Sequence, residues 1–269
     1  MGDRLRISIL GLIAGLAIGA AAGVAFAGEA SNFKILKLEG NSVRWQKSGA
    51  GFETPVVSYS LVSGAEEFPG ARNCRKMISL DGLTASSQVA MTAMREEISA
   101  AFAMWESVAG ISFREAADPS KADILIGAQA DPEGWAFADV FYDTHSPNEV
   151  KPISRSLVCL NPAKRWKIGF DGDLKTYDLR YTIAHEIGHA IGLDHPSSAG
   201  SIMGYRYEER FRDLQPGDVQ GAVALYGPRV TSESEVAMDH ESPQDLARAT
   251  GARPLSRALG TRALESRSH

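Results

Sequence analysis

Apolar and polar residues change their spacing several times along this chain, and each change predicts an element. Phe33-Lys34-Ile35-Leu36-Lys37-Leu38 alternates apolar and polar residues, which suggests a short strand. Val43-Arg44-Trp45 predicts another. Pro55 to Val62 is alternating, β-branched and aromatic, and predicts the first strand of a larger domain. From Ser86 to Val108 the period lengthens. Ala90, Met94, Ile98, Ala101, Phe102 and Trp105 form one apolar stripe of a long amphipathic helix, with Trp105 in the core. Ile111 to Phe113 and Asp123 to Gly127 return to strand. Leu157-Val158-Cys159-Leu160-Asn161 predicts a further strand, expected at the edge of the sheet beside a cleft. Residues 179–192 and Gly217 to Tyr226 read as helices. Asp178 suits the N-cap of the first, because a carboxylate accepts the free N–H groups there and favours the dipole.

The two ends follow other rules. Arg4 and Arg6 precede an apolar run from Ile7 to Ala27 that closes on Ala25-Phe26-Ala27, the small-x-small form of a signal cleavage site. Cleavage starts the mature chain near Gly28. The alternative is an uncleaved anchor, since the run is long enough to cross a bilayer, although its Ala and Gly make it weakly hydrophobic. Either way the rest of the chain is expected to be exported, to the periplasm or the extracellular space. Residues 28–53 read as a lead-in segment and 54–227 as the folded domain. Residues 228–269, rich in Ser, Glu, Asp and Arg, read as a disordered tail with a transient helix around Pro243 to Ala249.

Composition changes this picture little. Apolar content of 44% and charge of 23% suit an ordinary globular domain. A net charge of −5 points away from nucleic acid and from anionic membrane as partners. Membrane attachment is expected only if the N-terminal run is retained, and a monomer is expected. Cys74 and Cys159 lie outside the signal. Export permits a bridge between them, and two buried free thiols are the alternative, because sequence separation does not fix distance. Neither sits at metal-ligand spacing.

The chemistry lies in His185-Glu186-Ile187-Gly188-His189-Ala190-Ile191-Gly192-Leu193-Asp194-His195. His185 and His189 are four residues apart, which places both imidazoles on one helix face, one turn apart. Gly192 lets the chain leave the helix through a left-handed turn. His195 can then bring a third nitrogen. Three protein ligands and one open position make a catalytic zinc site rather than a structural one. Glu186 stands beside the metal as a general base and is not itself a ligand. Three of the 6 histidines fall within this stretch, so a core helix with incidental histidines is the poorer reading.

This segment resembles the zinc helix of the metzincin peptidases, and Ser201-Ile202-Met203-Gly204-Tyr205 resembles their Met-turn. Within that clan, Ala101-Phe102-Ala103-Met104-Trp105, Ala122-Asp123-Ile124, Leu214 to Gly221 and Ala224 to Gly227 look like matrixin helices and strands. The resemblance covers about residues 54–227 and is densest at 178–227. It implies an α+β metzincin catalytic domain: a twisted mixed sheet of about five strands, three main helices, and a zinc cleft between upper and lower parts. It also implies one catalytic Zn2+ on His185, His189 and His195, and an endopeptidase that cuts peptide or protein substrates through a zinc-activated water. Glu186 would take the proton of that water and pass it to the leaving amine. A non-catalytic binding or adhesion module on the same fold is the alternative. Retention of Glu186 favours the enzyme. A zinc hydrolase of other amide bonds is a third reading.

The chain also departs from the family. Met-x-Tyr is the serralysin and astacin form, in which the tyrosine is a movable fifth zinc ligand that hydrogen-bonds the oxyanion. Tyr205 therefore has two readings, that role or a wall residue of the specificity pocket. Residues 204–213 should line the pocket for the side chain after the cut bond. The Pro-Arg-Cys-Gly latency motif of matrixin propeptides is absent, and Cys74 sits in Arg72-Asn73-Cys74-Arg75 instead. Matrixins hold a structural zinc in the stretch that corresponds to 128–170. Only His145 is available there, so no structural zinc is expected and His145 reads as a surface residue. The calcium-binding glycine repeats of serralysins are missing. Asp171-Gly172-Asp173 has a faint likeness to a Ca2+ loop, and a plain turn fits it better, since further oxygen ligands are not evident.

Overall fold

Alternation in Phe33 to Leu38 yields two strands rather than one, because its halves find different partners. In the computed structural model, which describes residues 32–46 and 54–230, Lys34–Ile35 (β1) and Lys37–Leu38 (β2) part at Leu36. The targeting signal expected at 1–27, the tail beyond Val230 and its helix at 243–249 lie outside the described residues. Among the described residues no helix is long and apolar enough to cross a membrane. β2 turns back on Asn41–Arg44 (β3) through Glu39 and Gly40, at φ 50° and 84°. Two successive left-handed residues match the twist of a tight hairpin.

Val56–Leu61 (β4) is followed by a small hairpin of Glu66–Glu67 (β5) and Lys76–Ile78 (β6). The single helix expected over Ser86 to Val108 is two helices, Asp81–Ser87 (α1) and Met91–Glu106 (α2). Gln88 at φ 56° ends α1 in a left-handed cap, and extended Ala90 starts α2. The predicted stripe survives from Met94 onward: Met94, Ile98, Ala101, Phe102 and Trp105 are all buried, while Ala90 is exposed.

Ser112–Glu115 (β7), Ile124–Gln129 (β8), Ala136–Tyr142 (β9) and Lys151–Leu160 (β10) complete the main sheet. Its body runs β7-β4-β8-β10 in parallel, with β9 antiparallel on β10. Leu157 to Leu160 therefore lies inside the sheet, not at its edge. Val158 and Leu160 face the helices while Leu157 and Cys159 face the opposite side, and all four are buried. The edge strand is β9, registered from Ala136↔Leu160 to Phe141↔Arg155.

Trp166–Lys167 (β11) pairs with Tyr177–Asp178 (β12), and Leu179–Ala190 (α3) follows at once. Leu193–Asp194 (β13) and Pro216–Tyr226 (α4) close the described chain. The architecture is the expected α+β one: a five-strand mixed body with short additions, three main helices and the small α1.

One face of the sheet packs on α2 and α3 through Val57, Tyr59, Ile124, Ile126, Val158 and Leu160. The other face is covered by the chain between β4 and α1, through Val62, Ala71, Cys74 and Met77. Cys74 and Cys159 are bridged there, which resolves the two readings of the cysteines. Residues 32–46, read from the sequence as a lead-in, belong to this architecture. Val43 and Trp45 are buried, and β3 runs parallel to the start of β10.

Candidate metal centre

The geometry of α3 is set at both ends. At its start the buried Asp178 carboxylate accepts the Tyr181 N–H at 2.8 Å and the Arg212 guanidinium at 2.8 Å. At its end Gly192 stands at φ 105°, a conformation costly for a residue with a Cβ. Between them Gly188 lets Met203 lie against the helix: a Cβ there would overlap the Met203 sulfur and come within 2.9 Å of the Trp105 ring. The Met-turn is held from below by Asp218. Its buried carboxylate accepts the N–H groups of Ile202 (2.8 Å), Met203 (3.0 Å) and Gln215 (2.8 Å).

His185, His189 and His195 converge. His185 Nδ1 lies 2.7 Å from the Ile202 carbonyl and His189 Nδ1 lies 2.9 Å from the Leu193 carbonyl. A carbonyl only accepts, so each Nδ1 carries the proton and each Nε2 presents a lone pair. The three Nε2 atoms are 3.1, 3.2 and 3.2 Å apart. Burial and the neighbouring imidazole push His185 down to about 3, burial pushes His189 down to about 4, and burial lowers His195 too. Neutral rings with facing lone pairs repel unless a cation sits among them. Zinc–nitrogen bonds of about 2.0 Å in a tetrahedron put ligand atoms roughly 3.3 Å apart, so this donor set fits Zn2+.

Glu186 is 6% exposed and lines the same cleft. Burial pushes its carboxyl up to about 8, and the Asp139 charge adds to the rise. A cation on the imidazoles would favour the ionised form again. Asp139, on β9, is itself occupied by the N–H groups of Asn73 (2.8 Å) and Cys74 (2.7 Å). Tyr205 is 83% exposed, with its ring centroid 5.0 Å from that of His195. The cleft has a volume of about 950 Å3 and runs along β9. Trp135, Tyr177 and Tyr207 wall it as a stack, with centroids 3.8 and 4.2 Å apart. His145 is exposed in its loop. At Asp171-Gly172-Asp173 the Lys167 ammonium meets Asp171, Glu209 and the Asp173 carbonyl.

A protein-family model described as Matrixin matches residues 75–227 of this chain. The chain belongs to the matrixin family. The metalloendoproteinases 1-MMP and 4-MMP of Arabidopsis thaliana are 35% and 31% identical to it over 136 and 189 residues. Those alignments cover 48% and 64% of this chain and 36% and 54% of the two relatives. Human Stromelysin-3 is 29% identical over 161 residues, 55% of this chain and 30% of its own. The chain thus spans about half or less of the length of these curated relatives. In this matrixin, residues 32–46 and Cys74 itself lie outside the family match.

Sequence reasoning brought the three histidines, Glu186, Met203 and Tyr205 to one place, and the structure does the same. It missed Asp218, Asp139 and Trp45. Asp218 had a local signal, an acid at the third position of a helix that opens with Gln215-Pro216. The other two act through partners distant in sequence. In this matrixin Gly188→Ala should cost about 1–3 kcal/mol by overpacking. It should also shift the Met-turn that carries the His185 acceptor, Ile202 O. Chemical denaturation together with zinc titration checks this, and unchanged values for both would show that Met203 yields freely.

Proposed function

We propose that this matrixin is an exported zinc endopeptidase, in which His185, His189 and His195 hold the metal and Glu186 is the general base. The observation that carries the reading is the convergence of three Nε2 atoms beside a buried carboxylate in an open cleft. The catalytic unit in this reading is 54–227, with 32–46 built into it. Zinc bound there supplies a Lewis acid that acidifies water and polarises a peptide carbonyl. Glu186, largely dry and lining the same cleft, holds and returns the proton. Among the described residues β9 pairs with β10 alone, so a substrate can add as a further strand on its free edge.

Export is supported by the N-terminal apolar run and by the disulfide, which persists in oxidising compartments. The deciding experiment is metal analysis plus digestion of a denatured protein mixture, with and without chelator. Chelator-sensitive fragments are expected. Zinc-loaded protein that cuts nothing would favour the non-catalytic module.

Tyr205 rests against the His195 ring and is otherwise in solvent, so its phenol is free to swing. It is assigned here to hydrogen-bonding the oxyanion. Tyr205→Phe should lower kcat by about 10- to 100-fold with KM unchanged. A change confined to KM returns it to the pocket wall.

A further inference from the structure

The turn from α3 to His195 exposes a run of backbone groups that α3 itself cannot satisfy. Residues 34–45 meet them one after another. The Trp45 indole N–H donates to Ala190 O at 3.0 Å. The Leu36 N–H donates to Gly192 O at 2.8 Å. β1 pairs antiparallel with β13, Lys34↔Asp194 and Ile35↔Leu193. Lys34 Nζ lies 2.6 Å from Asp194, whose other oxygen accepts the His195 N–H at 2.8 Å. The Leu193 carbonyl in this same strand is the acceptor for His189 Nδ1.

So one segment outside the family match braces both the His195 backbone and the carbonyl that orients His189. We propose that Lys34 to Trp45 are positioning residues of the metal centre, and that without this brace the third histidine holds the ion weakly. The proposal rests on the reading of His185, His189 and His195 as zinc ligands. Its physical basis is that outer partners fix the orientation of ligands, and their loss commonly weakens metal binding about 10- to 100-fold.

The test uses the full chain. Leu36→Pro removes the N–H that meets Gly192 O, and Lys34→Ala removes the ion pair. Zinc affinity is measured by competition with a chelator, and the ligand set by the visible absorption of the cobalt-substituted protein. Leu36→Pro should bind zinc at least about 10-fold more weakly and change the cobalt band. Lys34→Ala should show a smaller loss that Lys34→Arg restores. Melting of the metal-free protein should move little in either. If Leu36→Pro does not fold, the Lys34 pair decides. Wild-type affinity and wild-type cobalt spectra in the variants overturn the brace and leave the zinc site standing. Wild-type protein that takes up neither ion overturns the site and the brace together.

Discussion

Glu186→Gln should retain zinc and lose peptide hydrolysis by about 100- to 10,000-fold, the range supplied by a positioned general base. Glutamine keeps the shape of the side chain and cannot take a proton. Glu186 is buried and lines the same cleft as His185 and His189, and the three imidazoles owe their orientation to Ile202, Leu193 and the turn at Gly192. None of those contacts involves Glu186, so the metal site should persist in the variant. The measurement is kcat/KM beside zinc content. Activity near that of the wild type would remove Glu186 from the proton transfer. Loss of zinc along with activity would make it a ligand instead.

Reducing the Cys74–Cys159 bridge should cost about 4 kcal/mol of stability. The bridge spans 85 residues, and closing a loop of that size in the unfolded chain accounts for most of the effect. The cost has a structural side as well. Cys74 anchors the chain that covers the outer sheet face, where Val62, Ala71, Met77, Leu125 and Leu157 are buried. Its N–H and that of Asn73 also hold Asp139 of the edge strand. The bridge lies on the face opposite α3, so zinc binding should survive reduction while the melt shifts down. Denaturation with and without reductant, and of Cys74→Ala/Cys159→Ala, checks this. Superimposable curves would sink it.

The clustering of the three histidines is legible because their spacing is short. Positions 185 and 189 share a face of any helix, and Gly192 marks the exit wherever it occurs. The limits appear where a strand must choose its neighbour. Leu157 to Leu160 announces burial through its composition, yet an interior strand and an edge strand with one covered face differ only in what pairs beside them. β9 is apolar on both faces except for Asp139, so it carries no clear alternation, and it lies within a stretch where the family likeness fades. β1 was legible as a strand, but its pairing with Leu193–Asp194, far along the chain, was not. The break between α1 and α2 is a local matter of Gln88 adopting a left-handed cap, which residue type alone does not announce.

The Lys167 junction bears on how a metal-depletion experiment is read. The positive charge between Asp171 and Glu209 is that of the Lys167 ammonium, so withdrawing divalent ions leaves this ion pair in place. Glu209 in turn accepts the Tyr207 hydroxyl, so this part of the cleft wall has an anchor made by protein side chains alone.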